Sequence, residues 1–178
     1  MELNAFVVPY DINLHNASEM IKYFWVTKHN NLSRRSGCPL NASIEMLGDR
    51  WSLLIIRDMM LRCASTYKEF MDSHEGIATN ILADRLRRLT EYGIIGSETD
   101  PLDRRKVTYR LTKKGIDLAP VLTEMVLWAA AHEETGNQEL VDLMRRDKVN
   151  FLEQIRDRWA KQVEGLGHVA GKPRSSIG

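Results

Sequence analysis

Three leucines recur at helical spacing in the middle of the chain, and they predict a helix with one buried stripe. Leu82, Leu86 and Leu89 share one face of a helix within residues 76–89, whereas polar residues occupy its other faces. Gly93 is typical of the position just beyond a helix, and the extended run 94–99 follows it at once. A turn over 100–105 and a strand over 106–111 complete a predicted hairpin with a basic tip.

Two further helices are predicted upstream from their end signals. Pro39 suits the first position of a helix, which makes Cys38 its N-cap, and Gly48 ends that helix after about Leu47. Asp49 caps the next helix. Its apolar residues recur on one face that we expect to be buried: Trp51, Leu54, Ile55 and Met59.

A short helix and a turn separate these helices from the leucine stripe. Thr66 and Glu69 have the spacing of a capping box, and their helix runs to about Asp72 with Phe70 directed inward. The turn lies over 73–76. Ala78 stands where a better capping residue is expected, so we predict that Thr79 caps the next helix. Helix, turn, helix and hairpin in this order predict a mainly α winged helix-turn-helix with a small β-hairpin wing.

Additional helices follow the hairpin. One is predicted from about Lys113 to Glu133 and ends before residues 135–137, and a final helical region has a kink near Asp147. Their apolar faces are Leu118, Leu122, Met125, Val126, Trp128 and Ala129, then Leu140, Met144, Phe151, Leu152, Ile155 and Trp159. These faces exceed what one small core covers, so we predict that two chains pair through them.

Charge is informative only where it is concentrated. The 178 residues are 43% hydrophobic and 28% charged with a net charge of +1, which is ordinary for a globular protein. Between Ile77 and Lys114, however, nine cations face five anions, a net +4. An excess of this kind at a predicted helix-turn-helix indicates a double-stranded DNA partner.

The polar residues of the leucine-striped helix and the hairpin tip are candidate DNA contacts. A solvated surface is the alternative for each, but their place between a turn and a basic hairpin favours DNA. Asn80 is the candidate for a base edge, because a side-chain amide can bond adenine bidentately. The complete predicted set is Thr79, Asn80, Arg87, Arg88, Arg104, Arg105 and Lys106.

Two charged residues of the same helix have a structural interpretation. Arg85 flanks the buried stripe, so we expect an ion pair with a nearby acidic residue. Asp84 can accept from cytosine or order Arg88 at helical spacing, and we favour the second.

Two cysteines are too few for a disulfide scaffold and fit a reducing compartment. A helix N-terminus and the nearby Arg34 and Arg35 stabilise a thiolate at Cys38, which makes it a candidate redox sensor. The alternative, a small buried group at a helix start, stays open. Cys63 is predicted to be filler.

Metal, cofactor and membrane functions have no support in the pattern. The histidines are scattered without the spacing of metal ligands, at His15, His29, His74, His132 and His168. Neither a phosphate-binding loop nor a nucleophile motif occurs in the sequence. We therefore predict no metal, no cofactor and no enzyme. No apolar run approaches the roughly 20 residues of a membrane span, and the N-terminus lacks the features of a signal peptide, which predicts a cytoplasmic protein.

The sequence resembles the HxlR family of bacterial transcriptional regulators, winged-helix proteins related to the MarR group. The resemblance covers roughly Cys38 to His132. Besides residues 76–94, its segments are 35–39 (RSGCP), 47–55 (LGDRWSLLI), 67–70 (YKEF) and 109–115 (YRLTKKG). It implies a homodimer that binds a near-palindromic operator, and some members sense oxidants or electrophiles at the position of Cys38. An unknown small-molecule effector is compatible with it.

The predicted domain organisation follows from these elements. Residues 1–37 are an N-terminal extension and linker, in which 16–19 resembles a capping box. The extension is either an extra helix packed on a partner chain or sequence upstream of a later start at Met20, and both interpretations stay open. Residues 38–133 form the DNA-binding domain, 134–164 a helical dimerisation extension and 165–178 a flexible tail.

Two other classes of function compete with DNA binding. A winged-helix protein-interaction module would expose apolar residues on the helix that carries Asn80, Arg87 and Arg88. An enzyme with Cys38 as nucleophile would need a histidine base, and the nearest in sequence is His29. Both alternatives have less support than a transcriptional regulator.

Overall fold

A computed structural model describes residues 37–167, with side chains through residue 163. This part of the chain contains eight helices and one antiparallel two-stranded sheet. In order they are α1 Pro39–Leu47, α2 Arg50–Leu61, α3 Tyr67–Met71, α4 Thr79–Glu91, β1 Ile95–Thr99, β2 Val107–Leu111, α5 Lys113–Ile116, α6 Ala119–His132, α7 Gln138–Arg146 and α8 Lys148–Gly167. The mainly helical architecture with a hairpin wing is confirmed. Predictions for residues 1–36 and 168–178 lie outside the described residues, and α8 itself continues past residue 165, where a flexible tail was predicted.

The ends of α1 and the start of α2 follow their sequence signals. Cys38 is the N-cap of α1 with Pro39 next to it, and the helix ends at Gly48. A Cβ at Gly48 would lie 2.4 Å from the carbonyl oxygen of Ile44, so only glycine permits this close approach. The Asp49 carboxylate then accepts 3.0 Å hydrogen bonds from the backbone N–H groups of Trp51 and Ser52, as predicted for a cap.

The buried face of α2 differs from the predicted one. Its buried residues are Ser52, Ile55, Ile56, Asp58, Met59 and Met60. Trp51 and Leu54 are only half-buried, so the prediction is wrong for these two. The reason is that α2 packs against α4, α6, α8 and β2. These neighbours bury a wider part of the helix surface than one face, and its centre is shifted from the predicted one. The guanidinium of Arg50 lies 4.7 Å from the centre of the Trp51 ring and covers part of it.

The carboxyl end of α4 is closed by a pair of backbone hydrogen bonds. Ile94 N donates to Leu89 O and Gly93 N donates to Thr90 O, both at 2.9 Å, which is the Schellman arrangement. Gly93 has a φ of +66°, in the left-handed region that this arrangement requires. Leu89 and Ile94 are both buried, so the chain leaves α4 for β1 with its direction fixed.

The opposite end of α4 corrects a prediction. Ala78 is the N-cap and contributes no side-chain hydrogen bond, whereas Thr79 is the first helical residue. The carbonyl of Ala78 accepts from Leu82 N at 2.9 Å, so the first turn begins one residue earlier than the capping preference of Thr79 suggested. Leu82, Leu86 and Leu89 are buried as predicted.

The single helix predicted over 113–133 is two helices, α5 and α6. Pro120 has no N–H and cannot donate to the carbonyl of Ile116, so the helical ladder is interrupted there. Leu118 N instead donates to Gly115 O at 3.1 Å. The consequence is that α6 takes its own direction, with part of its apolar surface exposed.

The last two helices lie against the core of the same chain. They meet at Asp147, where the kink was predicted. Val141, Met144, Phe151 and Ile155 are all buried. The indole Nε1 of Trp159 donates a 2.8 Å hydrogen bond to the carbonyl of Leu111 at the end of β2. The burial of these two apolar faces therefore needs no second chain.

Candidate nucleic-acid interface

The helix-turn-helix begins with a complete capping box at α3. Glu69 N donates to Thr66 Oγ1 at 3.3 Å, and Glu69 Oε2 accepts from Thr66 N at 2.8 Å and Ser65 N at 2.7 Å. These backbone hydrogen bonds hold the pKa of Glu69 below its usual range. Phe70 is fully buried as predicted, and its ring meets that of Tyr109 on β2 edge-on at 6.3 Å. The interior side of α3 is therefore fixed against the wing.

An ion-pair network anchors the turn between α3 and α4 to α2. Glu75 Oε1 lies 2.8 Å from Arg57 Nη1, and Glu75 Oε2 lies 3.5 Å from Arg50 Nη2. The hydrogen bond from Arg57 is the main cause of a lowered Glu75 pKa. Arg57 also bonds Asp58, which is almost fully buried. No local pattern indicates this network, because its members are 18 and 25 positions apart.

The first turn of α4 presents polar side chains and is tied to α3. Thr79 and Asn80 are both exposed. The hydroxyl of Tyr67 donates to the carbonyl oxygen of Thr79 at 2.7 Å. Tyr67 was not predicted as a functional residue, and its partner lies 12 positions away, beyond the reach of helical periodicity. It sets where Asn80 stands relative to α3.

Arg87 and Arg88 each contact side chains of α4 or of its C-cap residue, Tyr92. Arg87 bonds Asp84 at 2.8 Å and Glu91 at 2.5 Å, and its side chain is 59% exposed. Arg88 lies 6.0 Å from the centre of the Tyr92 ring. Asp84 thus orders Arg87, and the predicted pairing of Asp84 with Arg88 is wrong. The hydrogen bond from Arg87 lowers the pKa of Asp84.

Arg85 forms the structural ion pair that its position predicted. Its side chain is only 17% exposed, and Nε lies 2.9 Å from Oδ1 of Asp49, the cap of α2. The N–H of Arg85 Nε does not point at the Asp49 oxygen well enough for a hydrogen bond, so this pair is held by charge alone. Nη1 of Arg85 does donate a hydrogen bond to Asp84, at 2.9 Å. This pair links the start of α2 to the middle of α4.

The backbone of the wing turn is held mainly by the carboxylates of Asp100 and Asp103. Asp100 Oδ1 accepts from Leu102 N at 2.7 Å and Asp103 N at 3.2 Å, and Asp100 N donates to Lys106 O at 2.9 Å. The exposed residues of this turn are Pro101, Leu102, Arg104, Arg105 and Lys106. Arg105 contacts Asp103 at 3.1 Å yet stays 91% exposed. Leu102, 97% exposed at the same tip, was not predicted.

The wing and α4 are joined at the base of the hairpin. Five residue pairs connect the strands, from Ile95 with Leu111 to Thr99 with Val107. The Thr112 hydroxyl lies 2.7 Å from Gly93 O and 3.1 Å from Ile94 O, within hydrogen-bonding reach of both carbonyls. Helix and wing therefore keep one relative placement, and the polar start of α4 and the cationic tip belong to one unit.

Both cysteines are exposed thiols. Cys38 lies at the N-cap of α1, and its side chain makes no capping hydrogen bond. Arg34 and Arg35, predicted to stabilise its thiolate, lie outside the described residues. Cys63 has a φ of +56° and is exposed, so the prediction that it only fills space in the packing is wrong.

Within residues 37–163, histidine, cysteine and carboxylate side chains form no cluster that could hold a metal ion. Over 37–167, none of the helices combines the length and the hydropathy of a membrane span.

Comparison with known proteins agrees with this geometry. Residues 46–137 match the HxlR-like helix-turn-helix family. The HTH-type transcriptional regulator YodB of Bacillus subtilis is 34% identical over 101 residues, which cover 56% of this chain and 89% of that protein. The HTH-type transcriptional regulator sll1512 of Synechocystis is 33% identical over 88 residues, 49% of this chain and 64% of its own length, just under two thirds.

A solved structure shares the fold. The crystal structure of PA1607 superposes with a TM-score of 0.52 at 34% identity, covering 58% of this chain and 71% of that one. Both sequence relatives are named as transcriptional regulators rather than as enzymes. With more than half of its length matched by the family and a winged helix-turn-helix in that segment, the chain belongs to the HxlR-like helix-turn-helix family of transcriptional regulators.

Proposed function

We propose that the protein binds a near-palindromic DNA operator as a homodimer and regulates transcription of an adjacent gene. The observation that carries this proposal is the exposed pair Thr79 and Asn80 at the start of α4, held against α3 by Tyr67. In a helix-turn-helix the first turns of the second helix enter the major groove. Asn80 would read a base edge there, and Thr79 would bond a neighbouring base or phosphate.

Arg87 and Arg88 supply cations that can form ion pairs with DNA phosphates. The ion pairs of Arg87 with Asp84 and Glu91 lie at the surface, where water and salt screen them and they contribute little to stability. A phosphate that neutralises an arginine releases counterions as well, so it can compete for this guanidinium. In the absence of DNA, Asp84 and Glu91 hold the Arg87 side chain along the surface of α4.

The wing contributes sequence-independent contacts. Arg104, Arg105 and Lys106 are exposed on a turn whose backbone N–H groups bond the carboxylates of Asp100 and Asp103, and only Arg105 adds a side-chain bond to it, so these cations remain accessible to a phosphate. Positive side chains on a projecting hairpin can follow phosphates or enter a narrow minor groove. The exposed side chain of Leu102 would lie against the sugars beside them.

A second copy of the chain would cover α6. Val121, Met125 and Trp128 are 49%, 48% and 66% exposed and recur at helical spacing on one face. Leu40 and Ile44 form a similar exposed pair on α1. Apolar faces of this kind mark interaction surfaces, and a two-fold dimer would place two copies of α4 one turn of DNA apart.

Thiol modification at Cys38 would be the means of control. The support is its exposure and its place at the N-cap of α1, a helix that carries part of the proposed dimer surface. Wild-type protein treated with a mild oxidant should lose operator affinity, whereas Cys38→Ser should bind DNA and not respond. If mass spectrometry shows Cys38 modified while affinity is unchanged, the thiol is structural.

The whole proposal is tested by incubating the full chain with fragmented genomic DNA and sequencing what it retains. We expect one enriched motif with two related half-sites. Asn80→Asp, which places a carboxylate at the groove, should abolish the enrichment. Equal recovery of all fragments would contradict sequence-specific binding. A protein-interaction module is less consistent with α4, whose exposed residues include Thr79, Asn80 and Arg87 rather than large apolar side chains.

A further inference from the structure

One apolar side chain at the tip of the wing contributes nothing to the core. Leu102 is 97% exposed, more than any other large apolar side chain among residues 37–163. Moving such a side chain from water to an apolar surface is favourable. Single exposed leucines are common on proteins, so exposure alone identifies no binding site. The backbone and the neighbours of Leu102 supply the rest of the evidence.

The backbone around Leu102 is already held in place. Its N–H donates a 2.7 Å hydrogen bond to Oδ1 of Asp100, and the same oxygen accepts from Asp103 N at 3.2 Å. Pro101 comes directly before it, and the ring of a proline fixes its φ. Asp100 N closes the turn by donating to Lys106 O at 2.9 Å. Because this backbone is ordered beforehand, burying the leucine in a partner costs less conformational entropy.

The neighbours of Leu102 indicate the kind of partner. The other exposed residues of the turn are Pro101 and three cations, Arg104, Arg105 and Lys106. A surface for a protein partner has a contiguous apolar patch, and residues 100–106 do not carry one. In the minor groove of duplex DNA, by contrast, phosphates border sugar walls and stacked bases, and DNA-bending proteins insert apolar side chains there. The turn therefore matches the minor groove both in charge and in polarity.

The hairpin that carries Leu102 is fastened at two places. At its base, the Thr112 hydroxyl lies 2.7 Å from Gly93 O and 3.1 Å from Ile94 O, at the end of α4. Tyr109 N, in the middle of β2, donates to Ser65 O at 2.7 Å, which ties the wing to the segment before α3. A hairpin held in this way can press its tip against a duplex without turning aside.

We propose that Leu102 is an apolar wedge that enters the minor groove between two base pairs, partly unstacks them and bends the duplex. Leucine is among the side chains that act in this way, and such insertions kink DNA by about 20–90° towards the major groove. The inference rests on the proposed DNA binding and extends it. Contact with sugars alone leaves the duplex straight, whereas a wedge changes its shape. Ion pairs of the three neighbouring cations with phosphates offset part of the free energy of unstacking.

Energy transfer between dyes at the two ends of a duplex measures the bend. The probe is a duplex with the enriched motif at its centre, bound by the full chain. We expect the wild type to bend it by about 20° or more at each wing. Leu102→Ala should leave the duplex nearly straight, and Leu102→Phe, which keeps an apolar wedge, should preserve the bend. A straight duplex with the wild type, or an equal bend with Leu102→Ala, would overturn the proposal.

Salt dependence separates the wedge from the wing cations. Leu102→Ala removes no charge, so it should weaken DNA binding several-fold without altering the slope of log affinity against log salt. Leu143→Ala, which truncates an exposed leucine on α7, is the matched control and should leave both affinity and bend unchanged. Both side chains lie outside the core, so both variants should fold. A smaller salt slope for Leu102→Ala, or an equal loss of bend in the control, would contradict the assignment.

A mismatched base pair locates the wedge, because it lowers the cost of opening a step. We move a single mismatch along each flank of the motif and measure affinity at every position. The wild type should bind several-fold more tightly at one position in each flank, and Leu102→Ala should show no such position. The same gain in both proteins, or no gain with the wild type, would exclude insertion. A wild type that binds no DNA at all would refute the proposed function, whereas binding without bending would refute the wedge alone.

Discussion

The hydroxyl of Tyr67 donates a 2.7 Å hydrogen bond to the carbonyl oxygen of Thr79, which ties the first turn of α3 to the first turn of α4. The two helices of a helix-turn-helix must keep their relative angle while one enters the groove. Here that angle is fixed next to the side chains proposed to contact DNA. If this hydrogen bond is lost, Thr79 and Asn80 are the first residues whose positions relative to α3 become less well defined.

Tyr67→Phe tests this bond. Removing the hydroxyl should cost about 1 kcal/mol of unfolding free energy and weaken operator binding, because the start of α4 becomes less ordered. Chemical denaturation and DNA titration measure the two effects. Tyr109→Phe is the control, since the Tyr109 hydroxyl makes no hydrogen bond to a described residue. Equal DNA affinity in the wild type and Tyr67→Phe would remove the bond from the binding mechanism.

The wing arginines are expected to act on all DNA alike. Arg104→Ala with Arg105→Ala should lower affinity for operator and random DNA by the same factor, because phosphates carry no base information. The slope of log affinity against log salt should fall by about one for each phosphate that an arginine no longer neutralises. Arg156→Ala on α8 provides the control for removing a cation. An unaltered salt slope in the double variant would refute the wing contacts.

Asn80 is expected to read sequence. Asn80→Ala should relax preference at one base pair in each half-site and cost roughly 1–3 kcal/mol per contact. In vitro selection with both proteins would show this as one position that becomes degenerate. Asn150→Ala, exposed on α8, should reproduce the wild-type motif. The same motif at the same strength from Asn80→Ala would exclude Asn80 from base reading.

Local signals predicted much of the fold because their causes lie within a few residues. The capping box at Thr66, the cap at Asp49 and the glycine that ends α4 each depend on backbone groups in a single turn. The leucine stripe of α4 was predictable for the same reason, since one helix face meets one core.

Features set by distant segments were not predictable. The buried face of α2 depends on three other helices and a strand, so a single periodicity could not place Trp51. The contacts from Arg57 to Glu75 and from Tyr67 to Thr79 join residues 18 and 12 positions apart. The candidate DNA contacts could be assigned from position and chemistry, but the side chains that hold them in place could not.

The exposed face of α6 predicts assembly through that helix. Trp128→Lys should convert a dimer to a monomer at micromolar concentration, because it replaces the largest apolar side chain of the proposed contact with a charge. Val149→Lys is a matched control, since both side chains are 66% exposed but Val149 lies on α8. Light scattering distinguishes the states. A monomeric wild type would contradict the dimer, and with it the two-fold operator.

The capping box of α3 predicts a pH-dependent contribution to stability. Backbone N–H groups of Ser65 and Thr66 hold the pKa of Glu69 below its ordinary value of 4.5. Its carboxylate therefore stabilises the fold fully above that value, and the contribution is lost as pH falls through the lowered pKa.

Thermal melts should accordingly show the wild type more stable than Glu69→Gln at neutral pH, with the gap closing in acid. Glu153→Gln, exposed on α8, should track the wild type throughout. A constant gap between the wild type and Glu69→Gln down to about pH 3 would show that the carboxylate charge is not the cause.

The contact between Thr112 and the carboxyl end of α4 separates two properties that evolution can adjust. Because the hairpin is fastened at its base, its tip can gain, lose or exchange residues without turning the helix. Under the proposed binding mode, we expect substitutions over 100–106 to alter the affinity for any duplex, whereas we expect substitutions in the first turn of α4 to alter which sequence is preferred. Affinity for DNA and sequence preference would then be free to change separately.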